Sequence, residues 1–284
     1  MRAWRQTVMV AAAVLSPAAL AADAGWTPPA PLSTDQFESH PAFDPLTGDV
    51  WFVRSKPDFS GWRILYSRCG PRGWEAARDA PIAGDGLEAD PVFTDGGRRL
   101  WFISNRSTDG IRRKDLDIWT VSRRADGRWG TPERLPAPIN SDGQEWFPRE
   151  APDGWLYFGS NRPGGIGKTD IWRARRTNGG WTVESAGPAI NGPGDDYEPL
   201  VSPDGTRMLI ATAEGYYESH RGPHGWLQRT KLGPGYNVNR TEIGALFAPD
   251  GKAVLIARDV GDGKSGELVM IGKPQPGWPP RCRG

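Results

Sequence analysis

Short apolar runs alternate with glycine-containing turns from about residue 37 to the end of the chain. One adjacent pair of apolar residues recurs: Trp51-Phe52, Trp101-Phe102, Tyr157-Phe158, Met208-Leu209 and Val254-Leu255. Turns such as Asp153-Gly154 and Asp204-Gly205 precede these pairs, and Asp-Gly between apolar runs is a hairpin signal. Aromatic and β-branched residues favour a half-buried pleated surface. The pattern therefore predicts an all-β protein built from short strands.

When the copies are aligned, other equivalent positions also recur at a spacing of roughly fifty residues. An acidic residue opens each copy: Glu38, Glu88, Glu145, Asp196 and Glu242. A proline follows three positions later in four copies: Pro41, Pro91, Pro148 and Pro199. Ala245 stands at this position in the fifth copy. Independent columns at one spacing indicate an internal structural repeat.

Each copy is long enough for about four short strands, which is typical of a β-propeller blade. The copies span about residues 37–86, 87–143, 144–195, 196–239 and 240–284. Residues 25–34 resemble the outer-strand segment at Trp129-Gly130-Thr131-Pro132 and are expected to supply the last copy's missing outer strand. The prediction is one β-propeller over residues 22–284, with five blades of four antiparallel strands closed by this N-terminal strand. Six blades are the alternative.

The first residues have the pattern of a secretory signal peptide. Arg2 and Arg5 precede a short apolar stretch over residues 7–20, and Ala19-Leu20-Ala21 fits the small-x-small cleavage rule. We predict a signal peptide over residues 1–21, a periplasmic or secreted mature chain, and no membrane span after cleavage. Export permits disulfides. Cys69 and Cys282 are the two cysteines of the sequence, and whether they are bridged stays open.

Composition narrows the classes of function. Gly 37 and Pro 27 are high counts for 284 residues, but 14 Trp accompany them, which is atypical of a disordered chain. Hydrophobic residues make up 37%, too few for an integral membrane bundle. The 35 Lys and Arg balance 34 Asp and Glu, so no basic excess indicates nucleic-acid binding.

The best-defined motifs are Ser104-Asn105-Arg106 with Asp117-Ile118-Trp119, and Ser160-Asn161-Arg162 with Asp170-Ile171-Trp172. These motifs resemble TolB-type, WD-like β-propeller repeats of exported bacterial envelope proteins. The resemblance implies a propeller with a protein-binding or envelope-associated role. We expect the α/β domain that accompanies the propeller in TolB to be lacking.

The acids open the innermost strand of each predicted blade, so we expect them around the mouth of the central channel. Ser-Asn-Arg and Asp-Ile-Trp are expected on the same face. Near the acids, some positions differ between the copies, and we add His40, Trp146 and Tyr197 at these positions to the candidates. The candidate binding residues are Glu38, His40, Glu88, Arg106, Glu145, Trp146, Arg162, Asp196, Tyr197 and Glu242. The alternative is that the acids and arginines pair with each other as part of blade construction.

These observations favour a non-catalytic propeller that binds an envelope protein or peptide through its channel-mouth face. The alternative is a carbohydrate-binding or glycoside-cleaving propeller, which for cleavage needs two carboxyls about 5 to 9.5 Å apart. No residue is assigned a catalytic role, and no cofactor is expected. The sequence has 3 His and no His-Glu-x-x-His motif, so no metal site is expected.

Overall fold

The computed structural model describes residues 27–108, 110–239, 241–259 and 266–282. The predicted signal peptide, residues 1–21, lies outside these described residues. Within them the chain forms five antiparallel sheets that follow one another as the blades of a β-propeller. The inner strand of each blade contacts the inner strand of the next, and the fifth blade contacts the first. The prediction of a five-bladed all-β propeller is therefore confirmed.

The first three blades have four-stranded sheets. Blade one contains β1 (Phe37–Phe43), β2 (Val50–Ser55), β3 (Arg63–Ser67), the β4 (Cys69–Gly70) and β5 (Gly73–Trp74) ribbon, and β6 (Arg78–Asp79). Blade two contains β7 (Glu88–Thr94), β8 (Arg99–Ser104), β9 (Asp117–Ser122) and β10 (Glu133–Arg134). Blade three contains β11 (Glu145–Glu150), β12 (Leu156–Ser160), β13 (Asp170–Thr177) and β14 (Gly180–Ser185).

The last two blades differ in their outer strands. Blade four contains β15 (Asp196–Val201), β16 (Arg207–Thr212), β17 (Gly215–Gly222), β18 (Gly225–Trp226) and β19 (Thr230–Lys231). Blade five contains β20 (Ile243–Phe247), β21 (Ala253–Arg258) and β22 (Glu267–Gly272). The helical elements of the described residues are two short 3-10 helices, Ala30–Leu32 and Asp95–Gly97. Neither is long and apolar enough to cross a membrane.

The N-terminal segment closes the ring by packing rather than as a strand. The described sheet of blade five has three strands, and residues 27–34 form coil and a 3-10 helix, so the outer strand predicted from residues 25–34 is not found in that part. Pro28, Pro29 and Pro31 have no backbone N–H to donate to a ladder. Leu32 is nevertheless fully buried with Leu268 of β22, so the segment occupies the expected place.

Two further links join blade one to the end of the chain. Phe37 pairs with Gly266 in a parallel bridge beside β22. Cys69 and Cys282 form a disulfide, with their Cα atoms 5.2 Å apart. The bridge that the sequence left open is therefore present, and it ties blade one to the segment that follows blade five.

The core lies between the blades. Trp101 and Phe102 project from opposite faces of β8, yet they are only 4% and 0% exposed. Neighbouring blades cover both faces, which explains why the second strand of each copy carries a continuous apolar pair. All five predicted pairs are buried.

Every inner strand has an irregular register near its start. The irregularities lie between Ser39 and Ala42, Ala89 and Val92, Trp146 and Arg149, Asp196 and Glu198, and Ile243 and Leu246. A β-bulge bends its strand and redirects a side chain. In blades one, two and three the bulged residue is not glycine but has a positive φ: 50° at His40, 56° at Asp90 and 51° at Phe147. These bulges set the geometry at the propeller axis.

Candidate binding site at the channel mouth

The five repeated acids lie at the predicted end of the inner strands, but they are buried and paired with arginines. The pairs are Glu38–Arg54 at 2.6 Å, Glu88–Arg106 at 2.6 Å, Glu145–Arg162 at 3.0 Å, Asp196–Arg229, and Glu242–Arg258 at 3.8 Å. Each acid also accepts a backbone N–H from three or four residues upstream. The carboxylates are thus occupied inside the blades.

The arginine of each pair also holds the segment that enters the blade. Arg106 Nη2 donates to the carbonyl oxygen of Ile82 at 3.0 Å, and Arg162 Nη1 donates to that of Pro138 at 2.8 Å. The other three arginines make equivalent bonds to Pro31, Ile190 and Gly235. This clamp repeats in every blade, which agrees with the interpretation that the acids and arginines pair as part of blade construction.

Burial raises the pKa of two of these acids. Desolvation raises the pKa of Glu88, and the nearby Arg106 guanidinium only partly opposes it. Desolvation also raises the pKa of Glu145, against hydrogen bonds from Ser141 and the charge of Arg162. These carboxylates are fully buried in their ion pairs and are not exposed at the channel mouth.

A cavity of about 400 Å³ opens on the propeller axis at the same face. All five blades contribute to its lining, from His40 in blade one to Ile243 in blade five. The buried floor includes His40, Asp90 and Phe147, the three non-glycine residues with positive φ in the inner strands. The bulges therefore bring side chains from three blades to one point, and strained residues of this kind cluster at functional sites.

The walls and rim of the cavity are mainly apolar and aromatic. Phe59, Trp62, Trp146 and Tyr197 line them, and each retains some exposure to solvent. The Phe147 ring lies 5.2 Å from the His40 ring and 5.9 Å from the Tyr197 ring. Tyr197 donates its hydroxyl to the carbonyl oxygen of Thr212 at 3.1 Å, which fixes the ring at the rim.

The floor carries an unusual polar contact. His40 Nε2 lies 3.2 Å from Asp90 Oδ1, but the two atoms do not form a hydrogen bond and Nε2 has no other partner among the described residues. His40 Nδ1 is 2.8 Å from the Ser39 hydroxyl, and the Phe147 backbone N–H donates to Asp90 Oδ2 at 3.2 Å. Burial raises the pKa of Asp90 to about 7, and burial holds the pKa of His40 well below its ordinary value.

A second polar group fills the channel near this floor. Arg149 Nη2 donates to Glu198 Oε1 at 3.2 Å, and Glu198 Oε2 accepts from the Tyr216 hydroxyl at 3.2 Å. The backbone N–H of Gly244 donates to the same Glu198 oxygen at 2.9 Å. Burial raises the pKa of both Glu198 and Tyr216. Arg149 and Glu198 thus offset each other's charge in the channel interior.

Three of the predicted site residues line the cavity: His40, Trp146 and Tyr197. The other seven belong to the clamps. Sequence reasoning missed Asp90, Phe147, Phe59 and Trp62. A signal for the first two was present, because the position two residues after each acid holds unlike side chains in the five copies, where a structural repeat would hold like ones. Within the described residues, no group of three or more His, Cys, Asp or Glu side chains is placed to hold a metal ion.

The sequence matches no protein-family model and none of the curated proteins with which it was compared. Several solved structures are similar to it. A putative TolB from Agrobacterium tumefaciens is 14% identical, with 85% of both chains covered and a TM-score of 0.50. A gluconolactonase from Xanthomonas campestris is 12% identical, with 86% of this chain and 88% of that chain covered and a TM-score of 0.48.

A periplasmic gluconolactonase from Pseudomonas aeruginosa is 13% identical, with a TM-score of 0.45. The match covers 77% of this chain but only 64% of that protein. The match to the Agrobacterium tumefaciens structure, with a TM-score of 0.50, shows a shared fold. At identities this low, the activity of a neighbour is not transferred to this chain.

Proposed function

We propose that this chain is an exported, TolB-type propeller that binds a protein or peptide of the bacterial envelope at the mouth of its channel. The observation that carries the proposal is the axial cavity of about 400 Å³ lined by all five blades. Binding sites for small groups are concave, mostly apolar, and furnished with a few placed polar atoms. The aromatic rim over a His40–Asp90 floor has this composition.

The aromatic residues at the rim of the cavity support a protein or peptide as the binding partner. Tryptophan and tyrosine dominate the binding energy of protein interfaces because they bury large areas with few rotatable bonds. Trp62, Trp146 and Tyr197 are half-buried, so part of each ring is available for contact. A side chain inserted from a bound polypeptide would be enclosed by these rings.

Export is supported by the leader-like pattern over residues 1–21 and by the Cys69–Cys282 disulfide. Disulfides persist in oxidising compartments such as the periplasm and are rare in the cytosol. We therefore propose that the mature chain acts in the periplasm or outside the cell. The disulfide would be stable in either place.

The aromatic rim also favours one feature of the carbohydrate alternative, since sugar rings stack on tryptophan and tyrosine. The glycoside-cleaving form of that alternative needs two carboxyls with different acidities. The five repeated acids are buried in the arginine clamps, where they are not available as such a pair. We therefore place protein binding first and make glycan binding an outcome of the test.

The test selects peptides from a random display library on the immobilised mature chain and measures their affinities by calorimetry. The variant is Trp146→Ala at the cavity rim. Its matched control is Trp155→Ala, at the other end of blade three, where the ring lies 4.3 Å from the Arg173 guanidinium carbon. We expect the first variant to lose at least about tenfold in affinity and the control to bind like wild type.

Peptides that bind equally well to the Trp146→Ala variant would overturn the proposal. Failure to recover any peptide, together with a glycan-array signal that Trp146→Ala removes, would establish the carbohydrate alternative in its place.

A further inference from the structure

The charged side chains that line the cavity are acidic. Asp90 lies at the floor and Asp195 near the rim, and none of the described residues that line the cavity is a lysine or an arginine. The neighbouring Arg149 does not line the cavity, although its charge, paired with Glu198 at 3.2 Å, also acts on Asp90 and His40. A group that enters the cavity therefore meets carboxylates without a basic competitor in the described lining.

The floor holds a buried nitrogen atom that has no hydrogen-bond partner among the described residues. This atom is His40 Nε2, and it is an acceptor in the tautomer whose Nδ1–H faces the Ser39 hydroxyl. Asp90 Oδ1 lies 3.2 Å away. A ligand with several N–H donors, placed between this nitrogen and the Asp90 carboxylate, would bind to both groups.

The walls complete the chemical description. Aromatic faces attract a cation that lies within about 6 Å of the ring centre. Apolar walls also suit a methylene chain, because lysine buries its stem along apolar surface while its charged end finds polar partners. Trp62, Trp146 and Tyr197 surround the entrance to a floor that holds carboxyl and imidazole groups.

We infer that the occupant of this cavity is a primary ammonium group on an apolar stem, namely a lysine side chain of the protein partner. Its nitrogen binds at Asp90 and His40, and its methylene groups lie among the aromatic rings of the rim. This inference rests on the proposed function, because it assigns the chemical group that the partner inserts. It adds a charge requirement that the proposed function does not contain.

The experiment compares pentylamine with 1-pentanol, which has a similar length and shape but no charge. Binding to the mature chain is measured by calorimetry and by tryptophan fluorescence, since Trp62 and Trp146 line the cavity. Measurements are made at pH 8, above the raised pKa of Asp90, which is about 7. We expect pentylamine to bind at least about tenfold more tightly than 1-pentanol.

The variant is Asp90→Asn. Asparagine tolerates the positive φ of 56° at this position and can still accept the Phe147 N–H, so the variant removes the charge with little change of shape. The matched control is Asp142→Asn, an exposed acid just before β11 that does not line the cavity. The preference for pentylamine should disappear in Asp90→Asn and persist in Asp142→Asn.

Equal binding of the amine and the alcohol to wild type, or no binding of either, overturns the inference without use of a variant. Retention of the preference in a folded Asp90→Asn protein also overturns it. The two proposals fail separately: display peptides that depend on Trp146 but contain no lysine would uphold protein binding and exclude the lysine.

Discussion

His40 of the first blade and Asp90 of the second meet at the inner edges of their blades, with Nε2 and Oδ1 3.2 Å apart. Both residues have left-handed backbone conformations, and both occupy the bulge that follows the repeated acid. The strain at each position is compensated by the surrounding sheets. The contact therefore forms only when blades one and two are packed together.

The pH dependence of stability should report the burial of Asp90. Its pKa of about 7 in the folded state is above the unfolded value, so the folded state binds the extra proton and stability falls as pH rises from about 4 to 7. The Asp90→Asn variant has no carboxyl at this position, so it does not lose stability in this way as pH rises. Relative to wild type, the variant should gain roughly 1–4 kcal/mol between pH 5 and pH 8.

Thermal unfolding of both proteins across this pH range checks the prediction. The groups facing Asp90 are His40 of β1, Arg149 of β11 and Glu198 of β15. Their own titrations, including the depressed pKa of His40, are present in both proteins and largely cancel in the difference. A difference that does not change with pH would contradict the assignment.

The arginine clamps should contribute strongly to stability. Arg106 is buried beside Glu88 and also bonds to the Ile82 carbonyl, so Arg106→Met leaves a buried carboxylate without its partner. We expect a loss of about 3–5 kcal/mol in the free energy of unfolding. Arg128→Met is the matched control, because the Arg128–Asp126 pair is exposed and should contribute less than about 1 kcal/mol. Urea unfolding measures both, and similar losses would refute the structural role.

Gly244 should be required for the close approach of blades five and one. A Cβ atom at this position would lie 2.5 Å from the His40 backbone nitrogen, and φ is +70°. Gly244→Ala should cost about 2–5 kcal/mol, from backbone strain and overpacking together. Gly96→Ala isolates the strain, because φ there is +59° with no atom within 4 Å of the added Cβ, and should cost about 1–2 kcal/mol. Equal unfolding midpoints would show that the approach is not tight.

The disulfide should stabilise the closed ring. Replacing Cys69 and Cys282 by serine releases a link across a sequence separation of 213 residues. Restricting so long a loop in the unfolded state predicts a loss of about 2–5 kcal/mol. Thermal unfolding of the double variant, next to wild type with and without reductant, measures it. Unchanged stability under both treatments would show that packing of Leu32 is sufficient for closure.

The sequence predicted the repeat because the residues that build a blade are close together in the chain. Glu145 and Tyr157-Phe158 have counterparts in every copy, and Glu145 pairs with Arg162 inside its own blade. The same regularity made the acids conspicuous as candidate ligands, although a feature needed by every blade is filled by structure. The sequence could not show that Arg162 pairs with Glu145 rather than leaving it free.

The cavity was harder to predict because it depends on contacts between blades. Asp90 and Phe147 are 57 positions apart, and their hydrogen bond exists only once two bulges meet at the axis. Glu88 and Asp90 differ by two positions in one strand, so simple alternation would place them on the same side. The bulge between Ala89 and Val92 breaks that alternation and sends Asp90 to the cavity.

The packing of Leu32 against Leu268 has a consequence for synthesis. Leu32 is synthesised well over two hundred residues before Leu268, the β22 residue that covers it. The side of blade one that Leu268 covers is therefore exposed until the strands of the other blades have been synthesised. A chain that ends before Leu268 would leave the apolar side of Leu32 uncovered, and this exposed surface could bind a chaperone or a neighbouring copy.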